Sequence, residues 1–154
     1  MKKVIVVYYG VTGSTEKMAQ YIAEGVRFTG NQVVVKNIKD IKTTELRGYD
    51  GYIFGSPTFS LDIPGPMKVF LAGVEEAALK GKPGGAFGPY RHDMSYEHST
   101  HAPALIFEML ETRYKMKPFE LGPFSLKEDV VDTSQGMETC QDYGRVFGEK
   151  LGNE

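Results

Sequence analysis

Chemistry is suggested first by Gly10, Thr12, Gly13, Ser14 and Thr15, small and hydroxylated residues set directly behind the apolar run Val4-Ile5-Val6-Val7-Tyr8. Tyr9 and Val11 complete the stretch, and a helical pattern begins immediately after it. A strand that delivers glycines and hydroxyls to a helix start suits an anion, because first-turn N–H groups have no intrahelical partner and carry the positive end of the helix dipole. Glycine lets the backbone approach, and hydroxyls add donors. A phosphate group fits this pattern, although a plain tight turn between strand and helix has much the same composition.

Two other stretches are chemically distinctive. Ser56-Pro57-Thr58-Phe59-Ser60-Leu61-Asp62-Ile63-Pro64 follows the apolar run Gly51–Gly55 and holds an aromatic near its middle. Residues 89–100 follow Gly85-Ala86-Phe87-Gly88 and contain Tyr90, Arg91, Asp93 and Tyr96, with all three histidines, His92, His98 and His101, in or beside them. Long ordered loops in compact domains are more often functional than not. Three imidazoles can ligate a transition metal; the simpler reading is solvated histidines at a helix start. Asp62, Asp93 and Glu97 do not pair as a catalytic dyad, and Cys140 falls on an apolar helix stripe, where a thiol is a core residue.

These loops need a frame, and the apolar spacing supplies one. The first run reads as a strand buried on both faces. Met18, Ile22 and Val26, with Ala19 and Ala23 alongside, form a helix stripe ending at Gly30-Asn31. A second strand is read at Val33-Val34-Val35, and residues 40–47 as a surface connection or brief helix. Gly51–Gly55 is the third strand. Pro66 opens a helix with Met67, Phe70, Leu71 and Val74, closed by Gly81-Lys82-Pro83. Gly85-Ala86-Phe87-Gly88 is the fourth strand, and Pro103 restarts a helix with Ala102, Leu105, Ile106, Met109 and Leu110. Residues 118–131 read as strand interrupted at Gly122-Pro123. Asp132-Thr133-Ser134 caps a last helix carrying Cys140, Tyr143, Phe147 and Leu151, with Gly144 and Gly148 allowing close packing. Alternating strands and helices predict an α/β sheet covered on both faces, with ligands outside the carboxyl ends of the strands.

The bulk numbers agree with one domain over residues 1–154. Apolar residues are 41% and charged residues 25%, with a formal net charge of −2, so neither nucleic acid nor an anionic membrane is an expected partner. One cysteine excludes an intramolecular disulfide and a cysteine-held metal cluster and suits a reducing, cytoplasmic setting. No stretch reaches membrane-spanning length, and the first apolar run is too short for a signal-peptide core.

With the loops placed, the chain resembles the flavodoxin family over essentially its whole length, in the short form without a long insertion in the last strand. It is especially similar to the flavodoxin-type domains of flavodiiron proteins, through Gly13-Ser14-Thr15-Glu16-Lys17-Met18-Ala19 and Gly55-Ser56-Pro57-Thr58. The resemblance implies a flavodoxin-like three-layer α/β sandwich, a five-stranded parallel sheet of order 2-1-3-4-5 with helices on both faces, and flavin mononucleotide (FMN) at the switch point; flavodoxin is the reference case for that order.

It also implies the binding residues. The family's phosphate loop has a hydroxylated residue, any residue, then Thr-Gly-x-Thr. Here Tyr9-Gly10-Val11-Thr12-Gly13-Ser14-Thr15 matches at Thr12, Gly13 and Thr15, and Gly10 replaces a hydroxyl. Pro57, Thr58, Phe59 and Ser60 stand in the second loop, with Phe59 in the stacking place. Gly88, Tyr90, Arg91, Asp93 and Tyr96 belong to the third. There Asp93-Met94-Ser95-Tyr96-Glu97 resembles the family's Asp-x-Ser-Tyr-Glu and points to Tyr96 as the second stacking ring, with Tyr90 as the alternative nearer the strand. Many relatives place glycine where Ser60 stands. Glycine reaches positive φ without steric cost, so weaker stabilisation of the one-electron-reduced flavin is expected here.

The implied function is an FMN electron carrier between redox partner proteins, a reductase and an acceptor, as a monomer or weak dimer, with no protein acid, base or nucleophile. The alternative is an FMN-dependent NAD(P)H:quinone or flavin reductase whose substrate meets the enlarged third loop. Arg91 or a histidine near the flavin would favour negative charge on its reduced form. A flavin-free phosphoacceptor module of the same fold would need acidic residues at the end of the first strand, where Tyr8, Tyr9 and Gly10 stand.

Overall fold

The structure, a computed structural model, describes residues 1–91 and 101–152. Six strands are named in chain order: β1 (Lys3–Tyr8), β2 (Gln32–Asn37), β3 (Gly51–Gly55), β4 (Pro83–Tyr90), β5 (Lys117–Pro118) and β6 (Phe124–Lys127). The helices are α1 (Ser14–Phe28), α2 (Gly65–Val74), α3 (Ala102–Thr112), α4 (Glu128–Val131) and α5 (Ser134–Gly152). All strand pairs are parallel, in the order β2-β1-β3-β4-β5, with β6 also paired to β4. The expected 2-1-3-4-5 order is therefore present.

Alternation along β1 builds the layers. Ile5 and Val7 point to a core shared with Tyr52, Phe54 and Ala86 and closed by Met67, Leu71 and Val74 of α2 and Ile106 and Leu110 of α3. Val4, Val6 and Tyr8 point the other way, with Ile53 and Phe87, onto Met18, Ile22 and Val26 of α1 and Cys140, Tyr143 and Phe147 of α5. A side-chain period of two thus sorts one continuous apolar run into two cores. On the second face α1 and α5 touch backbone to backbone. A Cβ on Gly144 would lie 1.9 Å from the Ile22 carbonyl oxygen, and one on Gly25 would lie 1.9 Å from that of Gln141. Gly144 had a packing signal in the sequence; Gly25 is its counterpart on α1.

Three boundaries differ from expectation. Helix α2 stops at Val74 and gives way to a 3₁₀ turn, Glu75–Ala77, with Ala78 at φ +56°; the glycine at 81 closes a later turn. Strand β4 runs on to Tyr90, so Pro89 and Tyr90 belong to a strand end. The last strand is split at Gly122-Pro123, as expected, but ends at Lys127. β5 pairs with Pro83 and Gly84, β6 pairs with residues from Phe87 to Tyr90, and Gly122 between them sits at φ +73°. Because β3 flanks β4 along Gly84–Phe87, both pieces share its other edge and occupy a single sheet position. Pro118 and Pro123 lack the N–H a continuous ladder needs. Residues 128–131, expected as strand, are a helical turn. Thr133 then caps α5, its Oγ1 accepting from the Gly136 N–H at 3.1 Å.

Candidate functional site

The carboxyl ends of β1, β3, β4 and β6 open onto one side of the sheet. Strand β1 leads through residues 9–13 into α1, with Gly13 as N-cap at φ +96° and its carbonyl accepting from the Lys17 N–H at 3.0 Å. Among the described residues no side chain caps this helix start, which leaves first-turn N–H groups without a capping partner there. Thr12 and Gly13 are exposed, Ser14 is half-buried, and Thr15 is buried beneath the loop. A Cβ on Gly10 would meet Thr15 Cβ at 3.6 Å and the Tyr8 ring at 3.7 Å, ordinary contacts.

The second loop folds into a tight hairpin. Phe59 and Asp62 exchange two backbone hydrogen bonds, both 2.9 Å, across Ser60 and Leu61, which have φ of +50° and +61°. Two central residues at positive φ define a type I′ turn, which ordinarily selects Asn-Gly. Neither Ser60 nor Leu61 favours that region, and backbone strain of this kind costs of order 1–3 kcal/mol per residue. The turn holds Phe59 and Leu61 outward, 44% and 43% exposed. Asp62 accepts from the Ile63 N–H at 2.7 Å and pairs with Lys68, and the Lys68 ammonium together with that N–H holds its carboxyl below the usual range.

In the third region Tyr90 ends β4, and its ring stacks on His101 with centroids 4.6 Å apart. His101 precedes α3 and is 1% exposed, so it is a core side chain rather than a solvated one. The next residue, Ala102, donates its N–H to Thr58 Oγ1 at 2.7 Å, which ties the second loop to the start of α3. Arg91 Nε donates to Glu128 Oε2 at 3.1 Å, and Thr12 Oγ1 donates to Glu128 Oε1 at 3.4 Å.

These side chains enclose one cavity of about 670 Å³, lined by Val11, Thr12, Pro57, Thr58, Phe59, Ser60, Leu61, Pro89, Tyr90, Arg91, His101 and Glu128. That volume lies within the ~300–1,000 Å³ range of small-molecule sites. A matching family model spans residues 6–117 and is described as flavodoxin. The chain belongs to the flavodoxin family. It is 37% identical over 86 residues to a flavodoxin of Clostridium saccharobutylicum, covering 55% of this chain and 54% of that protein. This flavodoxin-family chain thus spans about half the length of that curated relative. A solved flavodoxin from the domain Archaea matches with 30% identity and a TM-score of 0.81 over 97% of this chain and 99% of that one. The flavodiiron protein of Giardia intestinalis matches with 25% identity and a TM-score of 0.82, over 99% of this chain and 37% of that one.

The sequence-predicted residues fall into three groups. Val11, Thr12, Pro57, Thr58, Phe59, Ser60, Tyr90 and Arg91 line the cavity together. Tyr9, Gly10, Gly13, Ser14, Thr15 and Gly88 are not among its lining residues. Tyr9 donates its N–H to the Gly55 carbonyl at 3.0 Å. Gly88 faces the Ser56 carbonyl oxygen, which a Cβ there would approach to 1.8 Å, so its absence of side chain lets two loop-bearing strands close up. Asp93 and Tyr96, with His92 and His98, lie outside the described residues. Leu61, Pro89, His101 and Glu128 are lining residues the sequence did not single out as such. Glu128 had no local signal; only the ladder that pairs Tyr90 with Lys127 brings it beside Arg91.

Proposed function

We propose that the cavity holds FMN and that the protein carries electrons between redox partner proteins. The observation that carries this reading is the convergence of three loops on one cavity, whose lining includes Thr12, just before the uncapped start of α1, and the half-exposed Phe59 ring. A phosphate fits the first feature; a flat heteroaromatic ring fits the second. When bound, FMN supplies one- and two-electron chemistry, and the protein supplies position and electrostatics.

This chain's own residues then have separate tasks. Thr12, Ser14 and the first-turn N–H groups hold the phosphate, with Gly13 providing the left-handed corner that no other residue adopts cheaply. Phe59 covers one ring face, and the type I′ hairpin fixes its angle. Tyr90 closes the far side, braced by His101. A net charge of −2 gives weak long-range steering, so apolar contact around Val11, Phe59 and Leu61 at the cavity mouth does more of the docking. The lone buried thiol of Cys140 agrees with a reducing, cytoplasmic setting.

The visible spectrum of purified protein titrated with FMN tests this directly. The expected result is saturable binding with quenched flavin fluorescence, and reduction by NAD(P)H only when a separate reductase is added. Absence of binding overturns the flavin assignment. Direct turnover of NAD(P)H by the protein alone overturns the carrier role in favour of a quinone or flavin reductase.

A further inference from the structure

We infer that Glu128 is a built-in anion in the phosphate cradle, one that competes with the ligand's phosphate and sets the preference between phosphorylated and unphosphorylated flavins. This rests on the flavin reading above but on different atoms. Glu128 opens α4 directly after β6, and the ladder pairing Tyr90 with Lys127 places the residues that follow, Arg91 and Glu128, side by side. At the other end of the turn Asp132 pairs with Lys17 on the first turns of α1. The segment is thus tied at both ends to the elements that build the cradle, and the Glu128 side chain is only 29% exposed.

The competition follows from proton counting. A threonine hydroxyl has one proton, and so does a guanidinium Nε. Thr12 gives its proton to Glu128 Oε1 at 3.4 Å, and Arg91 gives its Nε proton to Oε2 at 3.1 Å. Neither proton can serve a phosphate at the same moment. A phosphate seated on the Thr12 hydroxyl also places its charge within a few ångströms of the carboxylate, where like charges repel. Either Glu128 gives up both hydrogen bonds when the phosphate arrives, or Thr12 stays with Glu128 and the phosphate loses a donor. Both outcomes lower affinity for FMN and leave riboflavin, which has no phosphate, untouched. Arg91, a cation lining the cavity, has its charge partly offset by the same carboxylate, although its Nη protons are not engaged by Glu128.

Calorimetric titration of wild type and Glu128→Gln with FMN and with riboflavin reads this out. Glutamine keeps the size and one acceptor oxygen and removes the charge. The expected result is FMN binding tightened by about tenfold in the variant, with riboflavin changed less than about twofold, and the FMN gain shrinking as salt is raised. In the Glu128→Gln background, Arg91→Gln should remove part of the gain, because the guanidinium charge, no longer offset by a carboxylate, then acts in full on the phosphate. Equal FMN affinities for wild type and Glu128→Gln overturn the inference alone. So does parallel weakening of both flavins, which would make Glu128 an acceptor for the sugar chain. If neither protein binds either flavin, the flavin assignment itself is overturned and this inference with it.

Discussion

Gly10 is the position of the proposed phosphate loop where the resemblance implies a missing hydroxyl, and the structure leaves room to restore it. Its φ is not positive, and an added Cβ would meet Thr15 Cβ at 3.6 Å and the Tyr8 ring at 3.7 Å, contacts that require no movement. Gly10→Ser therefore adds a donor at the cradle without strain. One net hydrogen bond contributes about 0.5–1.5 kcal/mol, which is roughly a 2- to 13-fold lower Kd for FMN. Gly10→Ala is the control. It adds the same Cβ and the same restriction of the unfolded chain, which stabilises the flavin-free protein by about 0.4–1 kcal/mol, but no donor. Fluorescence titration with FMN and thermal unfolding without it separate the two effects. Both variants should unfold at a higher temperature than wild type, and only Gly10→Ser should bind FMN more tightly, with riboflavin unaffected. Equal FMN affinities for Gly10→Ser and Gly10→Ala would refute the assignment of this loop to the phosphate.

Two other outcomes follow. Ser60→Gly should raise the yield of the one-electron-reduced flavin in an anaerobic titration, because the peptide after residue 60 can then rotate into a type II′ turn, a conformation that a Cβ disfavours by about 1–3 kcal/mol, roughly a 5- to 160-fold change in its formation constant; an unchanged spectrum at mid-titration would refute it. Alkaline stability should fall above about pH 9. Burial pushes the Cys140 thiol and the Tyr114 hydroxyl up to about 12 and raises Tyr52 and Tyr143 as well. These groups stay protonated in the folded state while the unfolded chain ionises at ordinary values, so the unfolded state binds fewer protons and stability drops as pH rises, by up to ~1.4 kcal/mol per pH unit for each group. Melting temperature measured against pH should decline from pH 9 to 12; a flat profile would show that these hydroxyls reach solvent.

The centre of the sheet was legible because β1 and β3 are largely apolar runs and α1 and α2 carry clean stripes: Met18, Ile22 and Val26 are all fully buried, as are Met67, Leu71 and Val74. What the spacing could not give was where a strand stops against a neighbour. Pro89 and Tyr90 look like loop residues, yet the β6 ladder continues β4 through them. That ladder is a contact between residues more than thirty apart, and the same contact delivers Glu128. His101 was misread for a related reason. Polarity marks it as surface, whereas its ring is buried by stacking on Tyr90 and by the start of α3. The first loop was the most legible part of the site in its backbone, since Gly13 takes the left-handed corner, φ +96°, between the strand and the helix that the spacing predicts.

The second loop shows why a residue rule and its physical cause can part company. The absence of glycine at position 60 was expected to matter because serine avoids positive φ. Ser60 nevertheless sits at φ +50°, and Leu61 behind it at +61°, held by the two 2.9 Å bonds between Phe59 and Asp62. The left-handed conformation is therefore already occupied, and the strain is present without a ligand. What serine withholds is the next step. Rotating the central peptide of a type I′ turn produces a type II′ turn, whose first central position belongs to glycine. A Cβ at Ser60 blocks that rotation, so the peptide keeps one face toward the cavity whichever charge the ligand bears. The Asp62–Lys68 pair anchors the strained turn to α2. Rigid placement of Phe59 and limited response to a change in ligand charge are thus two consequences of one Cβ.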